Sequence, residues 1–356
     1  MQDFFEHKDI IDALKMISPG KTLRQGVDNI LKAKTGGLIV LASNEDITNV
    51  VDGGFCINAD YSPAYIYELA KMDGAIVISE DAKKILFANA QLIPEYSIPT
   101  SETGTRHRTA ERVSKQTGSI VIAISQRRNI ITVYRGNQKY VLQEISKILT
   151  KANQALQTLE KYKSVLDEAM ISLNALEFND LVTIYDVTVV LQKMEMVMRI
   201  INIIEKYVIE LGEEGNLVRM QLDELVGNTR IDQQHILKDY SKRNIHIDEY
   251  KKKIKNLTSE ELIDLGNIAK ILGYSDFSEN IDMQLKSRGY RILSKIHRLP
   301  TIIVENLVNY FGSFEKVLIA SIEELDEVDG IGEIRAKYIK NGLEKMNQLV
   351  MLDRNI

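Results

Sequence analysis

Two short polar stretches of the sequence contain the residue types that could do chemistry. The first runs from Ser101 to Arg112 and holds three arginines, a histidine, a glycine and several threonines beside a predicted helix start. Guanidinium groups, hydroxyls and the free N–H groups of a helix N-terminus bind anions, most naturally a polyphosphate. The alternative is a solvated basic loop that faces acidic neighbours.

The second stretch is Asp73-Gly74, where a predicted helix gives way to a strand. A carboxylate at such a place can hold a divalent metal or help to activate a hydroxyl. The alternative is an ordinary acid in the turn after a helix. Ser125 and Arg128 end a neighbouring predicted strand and could add to the anion site.

Apolar, β-branched runs predict the elements that must position these residues. Near-continuous runs of this kind are typical of central strands covered on both faces, and they occur at residues 37–43, 75–79, 119–125 and 130–134. Helices are predicted from Ser62-Pro63 and from Arg106 to Gln116, and a hairpin turn at Gly136. Residues 1–143 are therefore expected to form a mixed-sheet α/β domain.

Residues 144–285 have a helical pattern instead. Apolar residues recur at spacings of three and four from Ile145 through Tyr162 to Leu176, and again from Val187 to Leu211. This pattern predicts two long helices that pack antiparallel and act as a spacer. We interpret the methionines of the second helix as ordinary core or subunit packing rather than as cofactor ligands: Met194, Met196 and Met198.

Residues 286–356 begin with a basic run, and the segment from Val328 to Ala336 resembles the helix-hairpin-helix motif of DNA repair and recombination proteins. Its glycines permit a tight turn whose N–H groups face outward at a helix N-terminus and can take a phosphate oxygen. The predicted DNA-binding residues are Gly330, Ile331, Gly332, Arg335 and Lys337. The alternative is an ordinary helix cap in a small bundle.

The stretch that precedes this motif, from Leu299-Pro300 to Leu325, is interpreted as the first half of a tandem pair. It lacks the Gly-x-Gly of the second half. We therefore leave open whether this first hairpin binds phosphate or is only structural.

Composition bounds the class of protein. With 356 residues, 44% hydrophobic and 27% charged, the chain has enough material for two or three globular domains. It has no run of eighteen apolar residues, its first residues are acidic where a signal peptide needs positive charge, and its single cysteine fits a reducing compartment. We therefore expect a cytoplasmic protein without a signal peptide or a membrane span. The five histidines lie far apart, so we expect no structural zinc site. The net charge of −5 is an average over the chain and does not exclude DNA binding by a local basic patch.

The segments KMDGAIV and TSETGTRHRTAERV closely resemble the diadenylate cyclase (DAC) domain, and with the helical middle and the C-terminal motif the whole chain resembles the DisA family. The resemblance implies condensation of two ATP into cyclic di-AMP and two pyrophosphates, with Mg²⁺ or Mn²⁺. It implies that Asp73 contacts the ribose 3′-hydroxyl or the metal. The implied ATP-binding residues are Asp73, Gly74, Ala75, Leu92, Thr105, Arg106, His107, Arg108, Thr109, Ser125 and Arg128.

The product of that reaction is two-fold symmetric, while the chain has one set of motifs, so two chains must meet face to face. The resemblance implies an octamer whose C-terminal parts bind branched DNA such as Holliday junctions. Among the implied catalytic residues are Arg106, His107 and Arg108; whether His107 donates a proton or only orients phosphate stays open.

Two other function classes compete with a cyclase. One is a non-enzymatic DNA-junction-binding scaffold whose α/β part serves oligomerisation. The other is a repair nuclease, which would need clustered carboxylates to hold its metal ions, and the sequence offers only Asp73 near the basic stretch.

Overall fold

We describe the protein from a computed structural model, which describes residues 8–43, 47–242, 247–274 and 281–353. The chain forms two compact units: one comprises Met1–Leu156 and Ile203–Gln221, and the other Gln157–Asn202 and Leu222–Ile356. Within the described ranges, none of the helices is both long enough and apolar enough to cross a membrane.

The first unit is built on one mixed sheet. Its strands are β1 (Gly37–Leu41), β2 (Val51–Asp52), β3 (Phe55–Asp60), β4 (Ala75–Ile78), β5 (Lys84–Leu92), β6 (Ile120–Ser125), β7 (Ile130–Arg135) and β8 (Gln138–Val141). The order across the sheet is β2-β5-β4-β1-β6-β7-β8, and β3 also pairs with β5. Strand β1 is parallel to β4 and antiparallel to β6, so the predicted mixed α/β class is confirmed.

Helices cover both faces of this sheet. They are α1 (Lys8–Met16), α2 (Thr22–Lys32), α3 (Pro63–Leu69) and α4 (Thr105–Thr117). Alternate residues of each central strand enter different cores: Ile39 packs with α1, α2 and α3, whereas its neighbour Val40 packs with α4. This division explains why the central strands read as continuous apolar runs rather than alternating ones.

Two long helices follow, as the spacing predicts: α5 (Ile145–Phe178) and α6 (Ile184–Leu211). Most of the predicted apolar stripe is buried, and Leu159, Leu166, Val197 and Ile204 are at most 1% exposed. Tyr162 is an exception, because its side chain is 42% exposed. The prediction that Tyr162 belongs to the buried stripe is wrong: between Leu159 and Leu166 the least exposed residue is the half-buried Lys163.

The remaining helices are shorter: α7 (Asn216–Val226), α8 (Thr229–Tyr240), α9 (Ile247–Lys255), α10 (Ser259–Ile263), α11 (Leu265–Leu272), α12 (Tyr290–Leu293), α13 (Thr301–Phe311), α14 (Phe314–Ile319), α15 (Ile322–Asp326) and α16 (Glu333–Asp353). The predicted domain boundaries, after residues 143 and 285, fall in connections between elements, and they stay predictions.

A buried ionic cluster joins three helices inside the second unit. The Arg291 guanidinium of α12 pairs with Glu177 of α5, and both side chains are fully buried. The Asp239 carboxylate of α8 accepts hydrogen bonds from the N–H groups of Tyr290 and Arg291, at 2.7 and 3.0 Å, and so caps the start of α12. Burial, and then the nearby Glu177 carboxylate, raises the pKa of Asp239 to about 7.

Candidate functional site

The N-terminus of α4 is built to attract an anion. The helix begins at Thr105 after Gly104, and no side chain caps its first turn. The N–H groups of Thr105, Arg106 and His107 have no acceptor within the helix, because the first intrahelical bond runs from Arg108 N–H to the Gly104 carbonyl. Gly104 leaves open space where a Cβ would stand. A negative ligand can therefore approach these amides closely.

A cavity of about 460 Å³ opens in front of this turn. Its walls come from the loop before α4, the first turn of α4 and the β6–β7 loop. The residues that line it are Glu102, Thr103, Gly104, Thr105, Arg106, His107, Ser125, Gln126, Arg127 and Arg128. Three guanidinium groups and a helix N-terminus around one cavity give it the electrostatics of a polyphosphate site.

Contacts within the cavity wall fix two of these arginines. The Arg106 guanidinium packs against Gly36, where a Cβ would lie 2.6 Å from Nη1, so a larger residue at position 36 would displace Arg106. The Arg128 side chain donates from Nη2 to the Thr103 hydroxyl at 3.4 Å, and its backbone N–H donates to the Ser125 hydroxyl at 3.3 Å. Both arginines are thereby held at the cavity before a ligand binds.

Asp73 lies at the same edge of the sheet as this cavity. It precedes β4, and β4 runs parallel to β1 with Ile76 opposite Ile39, so residues 73–74 stand beside residues 36–37. Gly37 pairs with Ile124 of β6, which places Ser125 at that edge as well. The Asp73 side chain is exposed and does not line the cavity. The edge therefore presents an acid beside a basic pocket.

The predicted site residues near Asp73 also have structural roles in the sheet. Gly74 has a φ of +98°, and a Cβ there would lie 2.9 Å from the backbone oxygen of Ala90. The close approach of β5 therefore requires glycine at this position. Ala75 is buried and pairs with Ala90, and Leu92 is the half-buried last residue of β5.

The structure brings only part of the predicted set into one cavity. Thr105, Arg106, His107, Ser125 and Arg128 line it together. Arg108 and Thr109 follow on α4 without lining it, and the residues at the strand ends lie outside it along the sheet edge: Asp73, Gly74, Ala75 and Leu92.

Other residues near the cavity were missed or have another role. Glu102 and Arg127 line the cavity, but the sequence prediction did not single them out. A second arginine beside Arg128 was a usable signal for Arg127, whereas nothing in the local pattern marks Glu102. The third arginine of the motif, Arg112, donates to the backbone carbonyls of Ile98 and Tyr96, so it holds the preceding loop.

His107 is buried in the cavity wall, at 8% exposure. Its ring stands edge-on to that of Tyr134, with 6.4 Å between the ring centroids. Burial, partly offset by the Glu102 carboxylate, lowers the pKa of His107 below its usual value. The imidazole is therefore neutral near pH 7 in the absence of a ligand.

The donor set fits a metal that arrives with a nucleotide. In the part of the chain described, no group of three or more His, Cys, Asp or Glu side chains could hold a metal ion. Asp73 offers a single exposed carboxylate. Magnesium often takes one or two carboxylates and completes its shell with phosphate oxygens and water. Asp73 together with a bound triphosphate meets that requirement.

The C-terminal motif consists of two helices joined by a tight turn, in the second unit. Helix α15 ends at Asp326, α16 begins at Glu333, and Gly330 turns the chain with a φ of +79°. Ile331 is buried, whereas Gly332 and Arg335 line a cleft of about 740 Å³. Arg335 folds back on the Gly330 carbonyl, and Lys337 pairs with Glu333.

The same geometry occurs earlier, between α12 and α13. Arg298 has a φ of +58° in the position that Gly330 has in the second turn. The Leu299 N–H donates to the Ile296 carbonyl, and the Ile331 N–H donates to the Val328 carbonyl in the same way. The buried residues also correspond: Leu293 with Leu325, Ile296 with Val328, Val304 with Ala336 and Leu307 with Ile339. The second unit therefore contains two related helical hairpins.

Comparisons with known proteins agree with this architecture. Two family models match the chain: "DisA bacterial checkpoint controller nucleotide-binding" over residues 24–139 and "DisA bacterial checkpoint controller linker region" over residues 142–281. The chain is 73% identical to the DNA integrity scanning protein DisA of Clostridioides difficile, over the full length of both. It is 55% identical to the DisA protein of Clostridium botulinum strain Loch Maree (98% of each chain) and 58% identical to that of Clostridium perfringens strain SM101 (96% of this chain and 97% of the relative). The chain therefore belongs to the DisA family.

Proposed function

We propose that this protein is a diadenylate cyclase that condenses two ATP into cyclic di-AMP and two pyrophosphates. One observation carries the proposal: a cavity with three arginines and a helix N-terminus lies at the sheet edge that also presents Asp73. The arginines and the helix N-terminus suit a triphosphate, and the Asp73 carboxylate suits the hydroxyl that would attack it. Membership of a family whose nucleotide-binding domain matches residues 24–139 supports it independently.

The reaction needs little covalent chemistry from the protein. The ribose 3′-oxygen of one ATP attacks the α-phosphorus of the other, the bond to the β-phosphate oxygen breaks, and the hydroxyl loses its proton. Negative charge builds on the five-coordinate phosphorus and on the departing pyrophosphate. In this proposal the α4 amides, Arg106 and Arg128, all at the cavity, would stabilise that charge, and His107 would contact the phosphates from the cavity wall.

Asp73 takes the other role in this proposal. It orients the 3′-hydroxyl and helps to withdraw its proton, directly or through a divalent metal that it would hold together with phosphate oxygens. Mg²⁺ or Mn²⁺ bound in this way would supply Lewis-acid stabilisation of the phosphates. Leu92 and the strand ends beside it would border the adenosine.

Two copies of the chain are required, because each contributes one ATP to a two-fold symmetric product. The octamer implied by the resemblance provides such pairs. The C-terminal hairpins would bind the phosphate backbone of branched DNA such as Holliday junctions through N–H groups at helix starts, and this binding would alter the cyclase rate.

The direct test is incubation of the full-length protein with ATP and Mg²⁺ or Mn²⁺, followed by mass spectrometry of the products. We expect cyclic di-AMP and pyrophosphate from the parent protein, and at least a hundredfold loss of product with Asp73→Asn. Asp81→Asn is the matched control, because Asp81 is an exposed acid near the opposite end of β4. A folded Asp73→Asn protein with full activity would exclude the assigned role.

Mixed oligomers test the two-copy requirement. Coexpressed parent and Asp73→Asn subunits should form pairs in which only one hydroxyl is activated. Such pairs should release one pyrophosphate and stop at the linear dinucleotide. Accumulation of cyclic product alone, in proportion to the parent subunit, would contradict the arrangement.

The DNA part of the proposal has a separate test. Binding of a labelled four-way junction and of a linear duplex is measured by fluorescence anisotropy. Gly332→Leu should weaken junction binding by tenfold or more, because a large side chain would block the approach of phosphate to the start of α16. Its ATP turnover without DNA should equal that of the parent.

A further inference from the structure

An acid stands in the wall of the cavity that otherwise attracts anions. The Glu102 side chain is only 6% exposed. Its Oε1 accepts a hydrogen bond of 2.9 Å from the Tyr134 hydroxyl and pairs with the Lys139 ammonium. Burial by itself would raise the pKa of Glu102, but Lys139 and Tyr134 hold that pKa below its usual value. A carboxylate is therefore kept ionised where it would repel a polyphosphate.

His107 is the group on which this charge acts. Its Nε2 is buried without a hydrogen-bond partner in the described parts of the chain. Three cations near it disfavour a second proton: Arg106 on its own helix, Arg128 on the β6–β7 loop and Lys139 on β8. Among the groups that act on His107, Glu102 is the acid that favours its protonation, and Tyr134 contacts both, with its hydroxyl on Glu102 and its ring against that of His107.

We propose that Glu102 is a positioning residue: it fixes the wall on which His107 rests and supplies the negative charge that lets His107 take up a proton when a polyphosphate binds. This inference rests on the proposed function for the identity of the ligand. The bound phosphates add their own negative charge and offer an acceptor to Nε2. His107 then donates to them as an imidazolium, which has a second N–H and a positive charge that the neutral imidazole lacks.

The charge and the packing of Glu102 can be separated. Glu102→Gln keeps the size of the side chain and its ability to accept from Tyr134 and Lys139, but removes the negative charge. A nearby opposite charge typically shifts a pKa by about 1 to 3 units. The variant should therefore lower the pKa of His107 in the bound state, so that a smaller fraction of sites takes up a proton near pH 7.

The measurement is proton uptake on ligand binding, by titration calorimetry in buffers of different ionisation enthalpy near pH 7. The ligand is 3′-deoxy-ATP with Mg²⁺, which lacks the attacking hydroxyl. The full-length parent should take up roughly half a proton or more per site, since a histidine titrates in this range. Glu102→Gln should take up less than half as much, and His107→Asn close to none. Tyr134→Phe, which leaves the charge in place, should keep most of the uptake.

Equal proton uptake by Glu102→Gln and the parent would overturn the proposal. Should Glu102→Gln fail to fold, Lys139→Met decides instead: it removes a cation near His107 and leaves Glu102 in place, so uptake should equal or exceed that of the parent, and a fall would overturn the proposal. The calorimetry does not require turnover. A protein that binds 3′-deoxy-ATP with this pattern but makes no cyclic di-AMP would refute the proposed function alone.

Discussion

The Asp239 carboxylate gives the second unit a pH-dependent stability that can be worked out in advance. Its pKa is about 7 in the folded protein, against an ordinary value of 3.8. The folded state therefore holds the proton more tightly than the unfolded state, and the stability from that proton is complete below about pH 4 and is lost as pH rises to about 7. Between about pH 5 and pH 8 the loss amounts to about 2 to 3 kcal/mol.

Asp239→Asn removes this titration. The amide costs stability of its own, because one of its two polar atoms donates where the carboxylate accepted from the N–H groups of Tyr290 and Arg291. That cost does not change with pH. Any change with pH in the difference between the unfolding free energies of parent and variant therefore comes from the titration of Asp239. The free energy of unfolding should fall by about 2 to 3 kcal/mol more in the parent than in Asp239→Asn between about pH 5 and pH 8.

Urea unfolding followed by far-ultraviolet circular dichroism measures this difference, at several pH values and without ligand. Because the chain has two compact units, the relevant transition is the one that Asp239→Asn shifts. Asp223→Asn is the control, since this acid is exposed on α7 of the same unit and should leave the pH dependence unchanged. Parallel curves for parent and Asp239→Asn would refute the reasoning, because they would mean that Asp239 does not change protonation in this range.

We expect three further outcomes: two concern glycines with a positive φ, and the third concerns the salt dependence of DNA binding. Gly74→Ala should destabilise the first unit by about 1 to 3 kcal/mol in thermal unfolding, because of its left-handed φ and the contact with Ala90; an unchanged melting temperature would contradict this. Gly330→Ala should destabilise the second hairpin, where its Cβ would lie 2.8 Å from Ile303. Gly332→Ala should unfold like the parent, because its Cβ would meet only Asp326 Oδ1, at 4.0 Å. Junction affinity should fall linearly in a plot of log affinity against log salt concentration, and a salt-independent affinity would exclude backbone binding.

The sequence was sufficient where one local signal determined the structure. The apolar runs predicted the four most buried strands, and the left-handed Gly118 ends α4 where the pattern placed the stop. Strand β5 was missed because its pairing with β4 is interrupted by register shifts and Asn89 has a φ of +52°. Such irregularities interrupt the alternation of apolar and polar residues by which a half-buried strand is recognised in a sequence.

Tertiary contacts account for what the sequence did not reveal about the sites. Glu102 owes its burial to Tyr134 and Lys139, which come more than thirty residues later and from two different strands. Arg298 adopts a left-handed conformation that its residue type does not suggest, so the first hairpin keeps its turn without glycine. In both cases the decisive interaction is set by the fold and not by neighbours in the chain.

The Asp73 side chain lies outside the cavity at the start of α4, and in the proposed reaction this separation is one reason why a single chain would be insufficient. Asp73 is exposed, and two apolar residues near it at the same edge are exposed too: Met72 at 48% and Ile93 at 46%. Contiguous exposed apolar side chains often mark a surface that another protein covers. In the proposed reaction, the hydroxyl oriented by Asp73 must reach an α-phosphate held by a second copy. Covering Met72 and Ile93 would bring that copy to the acid and exclude water from the attack, so the same contact would both assemble the protein and complete its active site.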